Sequence, residues 1–282
     1  MKRINISNII IFIFLTLLAF IMLVPVLYAV FGSFKTNMEI MSNPEFFFPR
    51  NPTFDNYVQI FQSEEFNAIR MFFNSVIYSA VYVSSSIVFS TMSAYAFARG
   101  KFRGKNIWFA IFTALMFINL GSITVYPLFE ILGKMHLSAS LYSLMILQIF
   151  GINTVYIHLL KSYISTLPKE LDEAAKLDGC TIFGVLFKII MPLLKPIIAT
   201  VTILSFQSSW NDYVMPQIFT ASYPLQKTLT VGIVSLKNSG MGATATNLML
   251  SGAVISILPV LIVYCIGNKY FVSGLSAGAV KG

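Results

Sequence analysis

Six long apolar runs set the frame of this chain: residues 9–31, 72–98, 107–129, 141–160, 197–214 and 248–267. None contains Lys, Arg, Asp or Glu except the fifth, where Asp212 follows the charge-free stretch Ile197–Trp210. A helix that crosses a bilayer needs roughly 20 mostly apolar residues. In hydrocarbon every peptide group must find its partner inside the chain, so such runs are helices unless strands close into a barrel. A barrel would show alternating segments of about ten residues, and none is visible. The pattern predicts an all-α integral membrane protein with six transmembrane helices. The first run follows Lys2 and Arg3, as a signal peptide would. It is much longer than the usual apolar region of about 7–15 residues, and no Ala-x-Ala site follows. It is expected to be a retained span.

Lys and Arg orient these spans, because cytoplasmic loops carry the excess. The N-terminus, Arg99–Lys105, Lys161–Lys195 and the C-terminal segment together hold thirteen of these residues, and the opposite side holds six. Both termini are therefore expected in the cytoplasm, which agrees with an even number of crossings. Two outer connections are long, residues 32–71 and 211–247, with Asn-Pro and Tyr-Pro steps that mark turns. Residues 1–282 read as one polytopic domain, with no internal repeat, no linker and no soluble domain appended.

Composition supports lipid as the main solvent. Only 11% of residues are charged, against about 25% in a typical soluble domain. The 26 Phe and 13 Tyr suit a lipid-facing surface with interfacial aromatics. The net charge of +8 sits in short clusters between apolar runs, which excludes the broad basic face of a nucleic-acid binder. Cys180 and Cys265 fall on the cytoplasmic side, where a structural disulfide is not expected. Two His and two Cys, far apart, give no metal-ligand spacing.

The connection Lys161–Lys195 changes the picture most. It reads KSYISTLPKELDEAAKLDGCTIFGVLFKIIMPLLK. A short helix is expected from Pro168, a favoured first helical residue, with Glu170, Asp172 and Glu173 in its first turns, where the helix dipole favours negative charge. Gly179 is a natural stop. A second helix is expected over about Thr181–Ile190, because Phe183, Leu186, Phe187 and Ile190 recur at helical spacing. Pro192 and Pro196 then end it and open the fifth span.

This segment resembles the EAA motif of the permeases of ATP-binding-cassette (ABC) importers. That pattern is Glu-Ala-Ala, three residues, Gly, nine residues, then Ile-x-Leu-Pro. Here it falls on Glu173, Ala174, Ala175, Gly179, Ile189 and Pro192, with Met191 where Leu is usual. Further along, Trp210-Asn211-Asp212-Tyr213 with Pro216, then Lys227–Gly232, then the ending Tyr270–Gly282, look like stretches of carbohydrate permeases. Together these resemble the MalG-like subunit of the carbohydrate-uptake group.

The resemblance implies the type I ABC importer permease fold, in the bacterial cytoplasmic membrane, with a MalF-like second permease subunit. It also implies two copies of a cytoplasmic ATPase, each taking one EAA helix in a groove, and an external solute-binding protein that delivers the sugar. Glu173, Ala174, Ala175, Asp178, Gly179, Ile189 and Pro192 would form the coupling loop. Gly278, Lys281 and Gly282 in the tail would reach the ATPases. The chain has no Gly-x-x-x-x-Gly-Lys-Ser/Thr loop to cradle ATP phosphates. ATP and Mg are expected on the partner subunits, with no cofactor on this chain and no enzymatic activity of its own.

The polar residues in or beside the spans leave two readings open. Asn119, Gln148, Asn153, Gln207 and Asn247 either line a sugar path or bond neighbouring helices. Trp210 either stacks on sugar or anchors at the interface, with Asn211 and Asp212 beside it as outer-gate candidates. Two other function classes fare poorly. A proton- or sodium-coupled carrier usually has ionisable residues inside its spans, and the charge-free runs have none. A membrane enzyme would need paired carboxylates, a His-Glu-x-x-His motif or a nucleophile motif, and none is present.

Overall fold

The computed structural model describes residues 6–63, 66–118, 121–236 and 245–279. Asn119, Lys281 and Gly282 lie outside them. The described residues are helical with no strand: α1 (Ile6–Gly32), α2 (Asn37–Ser42), α3 (Asp55–Gln62), α4 (Ala68–Arg99), α5 (Lys105–Leu115), α6 (Val125–Lys134), α7 (Leu141–Ile149), α8 (Thr154–Thr166) and α9 (Glu170–Leu177). There follow α10 (Ile182–Gly184), a π-helical segment Val185–Ile190, α11 (Met191–Leu193), α12 (Lys195–Trp210), α13 (Val214–Phe219), α14 (Leu229–Ser235) and α15 (Thr246–Ala279).

Among the described residues, Asn8–Gly32, Ala68–Arg99, Leu141–Thr166 and Thr246–Gly267 are long and apolar enough to cross a membrane. The pair Ile182–Leu193 and Lys195–Trp210, bent by 84°, makes a fifth if taken together. The expected third span is not one helix. α5 ends at Leu115, a 3₁₀ turn covers Gly121–Thr124, and α6 starts at Val125. Pro127 suits the restart, because a residue without an N–H costs least in a first turn. The fourth run is likewise broken between Ile149 and Thr154, at Gly151 and Asn153.

The chain forms two compact units. One comprises residues 1–69 and 231–258. In it, residues 8–26 of α1 are exposed along their whole length, an apolar surface suited to lipid or a second membrane protein. The loop after α1 is knotted to the start of α15 by buried polar side chains. Asn56 Nδ2 donates to the carbonyls of Ser33 and Lys35 at 2.7 and 2.8 Å, and its Oδ1 accepts from Asn247 Nδ2 at 2.7 Å. Ser251 Oγ donates to the Ser33 carbonyl at 3.0 Å. Asn247 is therefore a helix-to-loop tie.

The other unit comprises residues 70–230 and 259–282. Two apolar clusters hold it. Tyr78 of α4, Leu132 of α6, Leu141, Leu144 and Met145 of α7, and Phe219 of α13 form one. The other gathers the end of α4 (Ala94, Tyr95, Phe97), α8 (Tyr156, Leu160, Ile164), Ala175 of α9, the π segment and α12. At 1.5 Å per residue, α4 is about 48 Å long, well beyond a hydrocarbon core of about 30 Å. Some of its length must extend past the hydrocarbon, and the second cluster is built around its last turns.

Candidate functional site

The connection between α8 and α12 folds as two short elements against the end of α4. The first is α9, shorter than the expected run from Pro168 but stopped where Gly179 predicts. Gly179 has φ of 82°, the left-handed region that only Gly enters at no steric cost. Its N–H bonds the Lys176 carbonyl at 3.0 Å, and the Cys180 N–H reaches back to the Ala175 carbonyl at 2.9 Å. This pair of bonds is a Schellman stop, which satisfies carbonyls that α9 would otherwise leave open.

The two faces of α9 differ sharply. Asp172 and Ala175 are its buried residues. Glu173, Ala174, Leu177 and Asp178 point outward, and Leu177 is 89% exposed. The resemblance places both alanines in the coupling loop. Only Ala174 is open to a partner. Ala175 is 6% exposed and belongs to this chain's own core. Glu173 makes no ion pair among the described residues. The outward face is thus a short acidic and apolar strip, with Ile182 and Phe183 exposed just beyond it.

Asp172, a first-turn acid in the sequence reading, is 4% exposed. Its Oδ1 accepts from the Tyr95 hydroxyl at 2.6 Å, and its Oδ2 lies 3.0 Å from Arg99 Nε. That last contact is off hydrogen-bond alignment, so charge holds it. Arg99 Nη2 donates to the carbonyls of Leu167 and Pro168 at 2.7 and 3.3 Å.

The second element starts as expected at Thr181, whose side chain caps Gly184 N at 3.1 Å. It then winds as a π helix through Ile190. Bonds from i to i+5 widen each turn, so the buried set is Val185, Leu186, Ile190 and Leu194. Phe183 and Phe187, half of the expected stripe, are exposed. Ile189 is half-buried against the same core, and Pro192 is exposed just before the bend into α12.

The other candidates divide. Gln148 and Asp212 come together through Tyr78, which the sequence reading missed. Tyr78 Oη donates to Asp212 Oδ2 at 2.6 Å and accepts from Gln148 Nε2 at 2.5 Å. Gln148 Oε1 is buried with no hydrogen-bond partner among the described residues. Asn153 caps α8, accepting from Val155 N and Tyr156 N at 3.1 and 3.2 Å. Gln207 and Asn211 are exposed. Trp210 is enclosed by its own chain. It is 2% exposed, stacked on Phe206 and edge-on to Phe72. Gly278 lies within α15.

Residues 75–275 match the family described as "Binding-protein-dependent transport system inner membrane component". The arabinooligosaccharides transport system permease protein AraQ of Halalkalibacterium halodurans is 34% identical, over 94% of this chain and 93% of the relative. The galactooligosaccharides transport system permease protein GanQ of Bacillus subtilis is 33% identical, over 96% and 94%. Among solved structures, one chain of a bacterial ABC transporter involved in the import of the acidic polysaccharide alginate superposes with a TM-score of 0.77. It is 26% identical, over 96% of this chain and 98% of that one.

Proposed function

Because the chain belongs to the family of binding-protein-dependent transport system inner membrane components, we propose that it forms, with a MalF-like partner, the pathway by which an oligosaccharide enters a bacterial cell. A permease subunit of this kind is not itself an enzyme. Energy comes from ATP and Mg on two copies of a separate cytoplasmic ATPase, and an external solute-binding protein delivers the sugar. The relatives named for arabino- and galactooligosaccharides support the substrate class. The topology is six crossings in the cytoplasmic membrane with both termini inside, the third carried by α5 and α6 together and the fifth beginning at the bend after Pro192.

The observation that carries this reading is α9. Its strip of Glu173, Ala174, Leu177 and Asp178 is set by a Schellman stop and a buried anchor, yet stays exposed among the described residues. Exposed carboxylates beside small and apolar side chains suit a groove with Arg or Lys at its edge. Closing of the ATPases would move α9, and through it the spans, to alternate access between the two sides.

The test is reconstitution in liposomes of the chain with a second permease, the ATPase and the binding protein. Uptake of an arabino- or galactooligosaccharide that requires both internal ATP and the binding protein is expected. Uptake by the chain alone, driven by an ion gradient, would sink the reading.

A further inference from the structure

α9 has to do two things if it docks on an ATPase. Its outer face must hold the partner, and its inner face must pass the motion on. Among its eight residues only Asp172 and Ala175 are buried against the chain. Ala175 offers one methyl group. The directional contacts are those of Asp172, with Tyr95 and Arg99, and both lie in the last turns of α4.

Arg99 is the final residue of α4, and it faces two ways. It pairs with Asp172 inside α9, and it bonds the carbonyls of Leu167 and Pro168, which lead into α9. One guanidinium therefore pins both the entrance and the first turn of α9 to the end of a transmembrane helix. Beside it lies a cavity of about 340 Å³, bounded in part by Met92, Tyr95, Ala96, Arg99, Phe183 and Leu186. Close-packed interiors transmit displacement through steric contact. On this side the packing is looser, so the polar contacts carry a larger share of the load beside the packing of Ala175.

We propose that Asp172, with Arg99 and Tyr95, is the joint through which α9 moves α4, which makes Asp172 a positioning residue of the transport cycle. The proposal rests on the reading that α9 docks on an ATPase. A buried ion pair is well suited to the task. Separating it leaves an uncompensated charge away from water, so the two helices move as one body or part altogether. Small displacements are then passed on rather than absorbed.

The test uses the full assembly of two permeases, ATPase and binding protein in liposomes, with the variants Asp172→Asn, Tyr95→Phe and, on the outer face, Ala174→Trp. ATPase recovery on purification and substrate moved per ATP hydrolysed are measured for each. In Asp172→Asn the ATPase should remain attached while substrate per ATP falls about tenfold or more, as expected for the loss of a charge-assisted bond. Tyr95→Phe, which removes one hydroxyl, should give a smaller fall in the same direction, and the double variant should be no worse than Asp172→Asn alone, because coupled residues are not additive. A purely structural role would lower the amount of complex and leave substrate per ATP unchanged. The proposal is overturned if either single variant assembles and moves the native amount of substrate per ATP, or if Asp172→Asn loses the ATPase while Tyr95→Phe stays native. Failure of the docking reading itself looks different: Ala174→Trp would keep both the ATPase and full uptake.

Discussion

The two alanines of the loop are neighbours in sequence but face opposite ways, so one bulky side chain should have two unlike effects. Ala175 is packed into the core formed with Tyr95, Leu186 and Ile190. Ala175→Trp must force that core apart, at a cost of about 1–3 kcal/mol or more. That is a large share of a typical folding stability of about 5–15 kcal/mol. Ala174 is exposed, where a substitution normally changes stability by no more than about 0.5 kcal/mol. Ala174→Trp should leave the fold intact and stand between α9 and its ATPase. Three quantities decide the matter: the amount of chain in the membrane, its thermal midpoint in detergent, and recovery of the ATPase on purification. Ala175→Trp should lower the first two. Ala174→Trp should preserve both and lose the ATPase, and Glu173→Lys should follow it, since a charge-assisted bond contributes about 1.5–3 kcal/mol and 1.4 kcal/mol is a factor of ten. A destabilising Ala174→Trp beside a harmless Ala175→Trp would show that the faces of α9 have been assigned the wrong way round.

Other outcomes follow from the same geometry. Gly179→Val should fray the end of α9, because a β-branched residue at φ of 82° costs at least about 1–2 kcal/mol, although nothing lies within 4 Å of where a Cβ would sit; normal uptake with normal ATPase attachment would show that the stop is dispensable. Tyr78→Phe should lower the thermal midpoint, since Asp212 and Gln148 both lose their hydrogen bond with the Tyr78 hydroxyl, though Asp212 keeps one from the Met215 backbone, and removing the partner of a buried polar group costs about 1–3 kcal/mol; an unchanged midpoint would show that the network does not contribute to stability. Single cysteines placed at Arg50 and Lys101, in a chain lacking Cys180 and Cys265, should react with an impermeant reagent in intact cells at 50 only. Reaction at 101 alone would invert the topology.

Much of the loop was legible because its signals are local. Gly179 had to stop a helix, a second had to start near Thr181, and Pro192 and Pro196 had to break the chain before the fifth span. The Tyr95–Asp172 bond was not legible, for it joins residues 77 positions apart. Arg99 and Asp172 each had a sufficient local explanation, one as a cytoplasmic cation and the other as a first-turn acid. The stripe of Phe183, Leu186, Phe187 and Ile190 misled for another reason. It assumed a period of 3.6 throughout, whereas Val185–Ile190, which holds Phe187, winds as a π helix after α10, which holds Phe183. The burial of Trp210 among Phe72 and Phe206 was not legible, because composition alone does not separate an aromatic at the membrane interface from one packed within the chain. The break in the third run was foreshadowed by Gly121 and Pro127, but apolar length outweighed them.

The most direct measurement concerns Leu177, the most exposed side chain named on the outer strip of α9. A photoactivatable cross-linker is attached to Leu177→Cys in the assembled transporter, with Cys180 and Cys265 replaced and Arg50→Cys as the control on the opposite side. If α9 is the seat of coupling, irradiation should yield a product containing this chain and the ATPase from position 177, and none from position 50. Cross-links from position 177 to lipid alone, in a complex that still takes up sugar with ATP, would contradict the account.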